Sequence, residues 1–279
     1  NTKDLNLYSK ELNNIEKEIT LFHAKVTNEA IKEVNSNIDI IGFHGQTIFH
    51  SAKEMVSKQL GDGKLLSQET KKKVVYDFRQ NDLKNGGEGA PLAPIFHKLI
   101  SEKIKVEPPL CVINLGGIAN ITSIESGEIS DLGSQDIGPG NCLIDEWIKK
   151  NTNKKYDKDG LIAKSGKKDI LILNQALDNH DNLKKKNILS YDTKDFDLSF
   201  VRGLSLEDGA ATLTEFTGKL LAEATLNYIS KLKTKPKKIL VCGGGRKNST
   251  LINCLKDNMN IGNLVENIDN FGVDGDFIE

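Results

Sequence analysis

Val112-Ile-Asn-Leu-Gly-Gly-Ile-Ala-Asn120, followed by Asp136-Ile-Gly-Pro-Gly-Asn-Cys-Leu-Ile-Asp145, is the pair of stretches whose reading decides the fold. The first belongs to an apolar strand, Leu110 to Leu115, that ends in the Gly116-Gly117 turn and returns as a second strand from Ile118 to Ile124. Glycines at such a turn let the backbone approach a phosphate closely. In the second stretch a carboxylate stands beside a Gly-Pro-Gly turn that opens an apolar helical run through Leu143, Ile144, Trp147 and Ile148. The expectation is an acid held at a helix start, where free N–H groups meet a charged ligand. A third passage of the same kind lies downstream: the strand Lys238-Ile-Leu-Val-Cys242 feeds Gly243-Gly-Gly245, and Asn248 begins a helix with Leu251, Ile252 and Leu255. Each passage alone reads first as ordinary turn structure. Together, apolar strands ending in glycine turns and followed by helices give the α/β class of a nucleotide-binding domain.

Working outward, the 279 residues exceed one typical domain, and two are expected. With 38% hydrophobic and 28% charged residues the chain is globular, and its net charge of −1 gives no global attraction to nucleic acid or to an anionic membrane. The Lys184-Lys-Lys186 run lacks aromatic interleaving and reads as a solvated face. No run approaches the ~18 to 20 apolar residues that a membrane span needs. The four cysteines form no C-x-x-C pair, and Cys111 and Cys242 lie in apolar strands, which favours a reducing, cytoplasmic location.

Upstream, Leu12, Ile15, Ile19, Phe22, Val26, Ala30 and Val34 recur at helical spacing and predict one amphipathic helix within residues 1–34. Ile38 to Phe43 reads as a buried strand delivering His44-Gly-Gln-Thr47 at its carboxyl end, where ligands bind in open α/β sheets. An imidazole, bare backbone, an amide and a hydroxyl in succession suit a polyhydroxylated ligand; a structural histidine is the alternative. A short helix from Ser67 leads to the strand Lys73 to Tyr76, then Asp77, Arg79 and Asp82, then the glycine-rich loop Gly86 to Pro94. Asp77 and Arg79 read either as a surface ion pair or as a clamp whose guanidinium fork takes a carboxylate. Residues 101–110, ending in Pro108-Pro109, read as a connector, residues 167–200 as a polar stretch, and Leu204 to Leu232 as an amphipathic helix with Leu213, Phe216, Leu220, Leu221, Ala224, Tyr228 and Ile229 on one face.

Taken in order, Gly42-x-His-Gly-Gln-Thr47, Asp77-Phe-Arg79 with Asp82, Gly86-Gly-x-Gly-Ala-Pro91, Asn114-x-Gly-Gly-x-x-Asn120, Asp136-x-Gly-Pro-Gly-Asn141 with Asp145, and Cys242-Gly-Gly-Gly245 with Asn248 resemble the anhydro-N-acetylmuramic acid kinase family from about residue 38 to the end. The resemblance implies the two-domain actin-like ATPase fold, which is ribonuclease H-like, with the active site in the interdomain cleft; the domains would be 1–107 and 108–279. It implies ATP-dependent opening of 1,6-anhydro-N-acetylmuramic acid and phosphorylation of O6, with Mg²⁺, in a cytoplasmic homodimer with no nucleic-acid or membrane partner. Asp136 would be the general base. His44, Gly45, Gln46, Thr47, Asp77, Arg79, Asp82 and Glu279 would lie on the sugar side. Asn114, Gly116, Gly117, Asn120, Gly138, Gly140, Asn141, Gly243, Gly244, Gly245 and Asn248 would meet ATP, with Gly116-Gly117 at the phosphates and Gly243 to Gly245 at the adenosine.

The sequence departs from the family pattern in four places. It holds no Gly-Thr-Ser-x-Asp-Gly phosphate loop ahead of the first helix, and it stops where the family's closing helix would start, so a chain truncated at both ends is expected. Glu88 stands where the family commonly has Gln, and Asn81 where it often has a basic residue. The competing readings are a kinase of the same superfamily acting on a free hexose, and a non-catalytic nucleotide-binding protein of the actin type.

Overall fold

The computed structural model describes residues 5, 7–34, 36–51, 53–184, 193 and 196–278, and the chain divides into two compact units, Asn1–Leu92 and Ala93–Glu279. Glu279 and the Lys185-Lys186 part of the lysine run lie outside the described residues.

In the first unit, α1 (Ser9–Glu33) packs on α2 (Gly63–Thr70). Two small sheets accompany them. β1 (Ile40–Phe43) pairs in parallel with β4 (Lys73–Tyr76), and β2 (Gln46–Ser51) forms an antiparallel hairpin with β3 (Val56–Leu60). A short helix, α3 (Gln80–Lys84), follows β4. The side of α1 that packs differs from the apolar stripe in the sequence. Thr20 and Ala24 are buried, whereas Ile15, Phe22, Val26 and Val34 are exposed. The reason is local: Thr20 Oγ1 donates to Glu16 O at 2.7 Å and accepts from Asp62 N at 2.9 Å, and small Ala24 sits beside Phe43 and Leu66. The helix expected from Ser67 starts earlier, at Gly63, because the Asp62 carboxylate accepts from Lys64 N and Leu65 N and caps it.

In the second unit, α4 (Ala93–Lys103) leads into a five-stranded sheet of order β7-β6-β5-β8-β9. Its strands are β5 (Leu110–Leu115), β6 (Ile118–Ile124), β7 (Leu132–Pro139), β8 (Lys238–Cys242) and β9 (Val265–Asn267). β5, β6 and β7 form an antiparallel meander; β8 runs parallel to β5, and β9 parallel to β8. Three strands in a meander, then two joined in parallel on the other side of the first, is the ribonuclease H-like order. Apart from Asn114 in β5 and half-buried Lys238 at the start of β8, these two strands are apolar on both faces and buried, as strands covered on two sides must be.

One face of the sheet carries α5 (Cys142–Asn151), α6 (Leu161–Ser165), α8 (Leu206–Lys231) and α9 (Ser249–Asp257) over Ile113, Leu115, Ile121 and Val241. α8 is buried nearly all round, its expected stripe inside except for half-buried Ala224. Gly209 is required there because a Cβ would overlap the Trp147 ring, whose Nε1 donates to Leu206 O at 2.9 Å. The other face packs Val112, Ile124 and Leu240 against Ile100 of α4 and against Ile268 and Ile278.

Two further expectations give way. Asp136 is not at a helix start but inside β7, since α5 begins only at Cys142. The polar stretch from 167 contains a helix, α7 (Ile170–Lys184), whose Leu173 and Ala176 reach the core.

Candidate active site

Because β6 is antiparallel to both β5 and β7, the strands β5, β7 and β8 point the same way, and their carboxyl ends share one edge of the sheet. That edge is where ligands meet open α/β sheets. All three glycine passages lie on it. Gly140 N donates to Gly117 O at 2.9 Å, Asn141 N to Gly116 O at 2.8 Å and Cys142 N to Gly117 O at 3.2 Å, so the strand-end turn of β7 is fastened onto the β5–β6 turn. Asn141 Nδ2 adds a bond to Leu115 O at 3.3 Å. A Cβ on Gly140 would overlap Gly116 O, and a Cβ on Gly245 would lie 2.6 Å from Leu115 Cβ and 2.7 Å from Asn141 Nδ2. Gly243 combines φ +77° with a backbone so close to Asn114 that a Cβ would overlap its Oδ1. Only glycine satisfies both demands.

Asp136 stands three residues before the end of β7 at Pro139. Across the sheet it is opposite Asn120, Asn120 is opposite Asn114, and Asn114 is opposite Cys242. Directly opposed residues share a face, so a carboxylate and two amides form one polar row across three strands. Two residues further back on the same face Thr122 stands opposite Ser134, and buried polar groups of this kind are kept for hydrogen bonding. The register shifts between Ala119 and Asn120, leaving Ile137 as an extra residue on β7. Such a bulge re-aims neighbouring side chains and is over-represented beside active sites. Ile137 is buried, while Asp136 stays half-buried with access to solvent.

A cavity of about 380 Å³ opens beside the same edge, lined by Asn141, Asp145, Tyr156, Asp159, Gly244 and Asn248, among others. Gly244 presents bare backbone, with no atom within 4 Å of where a Cβ would stand. Asn248 caps α9 by accepting from Leu251 N at 3.0 Å. The opposite wall is the turn 156–160, pinned to α9 by Ser249 Oγ donating to Asp159 O at 2.9 Å and Thr250 Oγ1 to Gly160 O at 2.8 Å. Burial raises the Asp145 carboxyl above its ordinary range, against the pull of Lys149. The sequence shows Tyr156-Asp-Lys-Asp-Gly160 only as a polar turn with acidic groups; in the structure the Asp157 carboxylate accepts from Ile162 N and Ala163 N at 2.9 Å and so fixes the wall.

In the first unit the residues after β1 and β4 come together. Arg79 donates from Nε and Nη2 to His44 Nε2 at 3.2 and 2.9 Å, and from Nη1 to Gly89 O at 2.7 Å. His44 Nδ1 lies 3.0 Å from Gly45 O, so the hydrogen-bond network assigns the ring proton to Nδ1. Asp77 does not pair with Arg79; it holds φ +60° and lines a cavity of about 300 Å³ with His44, Lys58 and Gln80. Asp82 braces the glycine loop, its carboxylate accepting from Gly89 N at 2.7 Å. Gly45, at φ +71°, packs on Leu60 O; Thr47 Oγ1 accepts from Gln59 Nε2 at 3.2 Å, and Gln46 is exposed. Burial lowers the pKa of Arg79.

The sequence matches the family model of anhydro-N-acetylmuramic acid kinase over residues 4–279. The chain belongs to the anhydro-N-acetylmuramic acid kinase family. The anhydro-N-acetylmuramic acid kinase of Pelagibacter ubique is 52% identical over 277 residues, covering 99% of this chain and 74% of that protein. That of Zymomonas mobilis is 43% identical over 267 residues, covering 94% and 70%. Among solved structures, the activator of the 2-hydroxyisocaproyl-CoA dehydratase from Clostridium difficile with bound ADPNP aligns at 11% identity and a TM-score of 0.44, over 86% of this chain and 88% of that one. Membership in the anhydro-N-acetylmuramic acid kinase family carries the actin-like ATPase fold class with it, and the strand order of the second unit agrees. No helix among the described residues is long and apolar enough to cross a membrane.

Proposed function

We propose that this chain opens 1,6-anhydro-N-acetylmuramic acid with water and transfers the γ-phosphoryl group of ATP to O6, giving N-acetylmuramic acid 6-phosphate. Beyond family membership, the observation that carries this reading is the convergence of the three glycine corners and the Asp136 row at one sheet edge. Asp136 takes a proton from water as the oxygen attacks the anomeric carbon. The C1–O6 bond breaks, and its electron pair stays on O6. O6 then forms a bond to the γ-phosphorus while the bond to the bridging oxygen breaks and ADP leaves. Positioning and charge stabilisation carry most of such a transfer.

In this reading Asn114, Gly116, Gly117, Asn120, Gly138, Gly140 and Asn141 receive the phosphates, and Gly243, Gly244, Gly245 and Asn248 the adenosine beside the cavity. The sugar contacts fall to His44, Gly45, Gln46, Thr47, Asp77 and Arg79, with Asp82 acting through the loop it braces. Mg²⁺ neutralises the phosphate charge when bound. Among the described residues no group of three His, Cys, Asp or Glu side chains could hold a metal ion. The free cysteines suit a reducing cytoplasm, and the family resemblance supports a homodimer, which sedimentation would test.

A coupled ADP-release assay across sugars tests the function. Turnover with the anhydro sugar well above that with free N-acetylmuramic acid or glucose is expected. Preference for a free hexose, or nucleotide binding with no sugar-dependent turnover, would overturn it.

A further inference from the structure

The loop Gly243-Gly-Gly245 has no side chains to hold its own shape, and glycine backbone is the least restrained of all. Arg246, the next residue, supplies the restraint. Its side chain is 2% exposed. Nε donates to both carboxylate oxygens of Asp269 at 2.9 and 3.0 Å, Nη2 to Asp274 at 2.9 Å, and Nη1 to Gly243 O at 3.0 Å and to Asp276. The two loops are also joined directly by Gly243 N donating to Gly275 O at 2.9 Å, while Gly275 N donates to Asp269 Oδ1 at 2.9 Å within the 269–276 segment. Gly275 leaves room for this, since a Cβ there would overlap Arg246 Nε.

Burial works against the guanidinium charge, and its hydrogen bonds to the Asp269 and Asp276 carboxylates outweigh it, so the pKa of Arg246 is raised. These contacts occupy four of the five N–H groups of the fork, and three carboxylates surround one cation. Arg246 is therefore not a counter-ion for phosphate. Its hold ends on Gly243, one residue from open Gly244 in the cavity wall.

We infer that Arg246 is a positioning residue for the nucleotide: its guanidinium locks the Gly243 to Gly245 loop onto the 269–276 segment in the conformation that receives the nucleotide. The inference rests on the nucleotide-binding reading above. A purely structural staple would lower stability without moving nucleotide affinity in particular.

The test uses the full chain as wild type, Arg246→Met, Arg246→Lys and Asp274→Asn, with ADP affinity from calorimetry and both KM values from turnover. Arg246→Met should weaken ADP binding and raise the ATP KM by about tenfold or more, the size expected for losing hydrogen bonds to charged groups. The sugar KM should stay put. Arg246→Lys should restore part of the loss, because an ammonium replaces a point charge and not the fork. Asp274 is 56% exposed, so Asp274→Asn loosens the clasp without stranding a buried charge and should shift ADP affinity less, in the same direction. ADP affinity unchanged in folded Arg246→Met would overturn the inference; should that variant not fold, unchanged affinity in Asp274→Asn does so. A wild-type chain that binds no ADP would instead remove the nucleotide reading and this inference with it.

Discussion

Lowering the pH from 7 to 4.5 should destabilise the second unit through His97, a residue of α4 that is 1% exposed and whose Nδ1 lies 2.9 Å from Thr122 Oγ1. Burial pushes its pKa from 6.5 down to about 4, and its Nε2 has no hydrogen-bond partner among the described residues. The folded-state value lies below the unfolded one, so between the two the unfolded chain binds a proton that the folded chain does not. Stability from this group is complete above about pH 6.5 and declines as pH falls toward about 4. The gap, 6.5 less about 4, is about 2.5 units or about 3 kcal/mol, of which about 2 kcal/mol is lost between pH 7 and 4.5. Carboxylates titrate in the same window, so the comparison is with His97→Asn, which keeps a polar atom for Thr122 and does not titrate. Trp147 is the chain's one tryptophan and is buried in the second unit, so its fluorescence in urea reports that unit. Wild type should lose about 2 kcal/mol more than the variant across this range. Parallel pH dependences would refute the reasoning.

Two further outcomes are expected. Gly140→Ala places a Cβ against Gly116 O; overpacking of this kind costs about 1–3 kcal/mol and should raise the ATP KM more than the sugar KM, read by urea unfolding and by turnover. Arg79→Lys breaks the fork that joins His44 to Gly89 O, and the sugar KM should rise about tenfold with the ATP KM unchanged, measured by ADP release.

Much of the second unit could be read from the chain. β5 and β8 are mainly apolar runs ending in glycine turns, β6 returns from the first of those turns, and α8 repeats apolar positions from Leu213 to Ile229 at helical spacing. β7 escaped because Leu132-Gly-Ser-Gln-Asp-Ile-Gly-Pro139 alternates weakly and ends in turn residues; it is a strand because β6 offers it a partner. α7 was masked by the polar composition around it, and only its packing against α8 distinguishes it from loop. On α1 a hydrogen-bonded threonine and an alanine outcompeted the larger apolar side chains for the packed side, a choice made by Asp62 and Leu66 some forty residues away. The glycine corners were visible singly, but their meeting at one edge depends on strand order. The Arg246 clasp joins residues far apart in sequence, and no local pattern announces it.

Release of ADP by Asp136→Asn in the presence of the anhydro sugar tests the assignment of the base most directly. The substitution keeps the size of the side chain in its row with Asn120 and Asn114 and removes its charge and basicity. Turnover about a hundredfold to ten-thousandfold below wild type, with ATP binding retained, is the predicted result; turnover equal to wild type would contradict it.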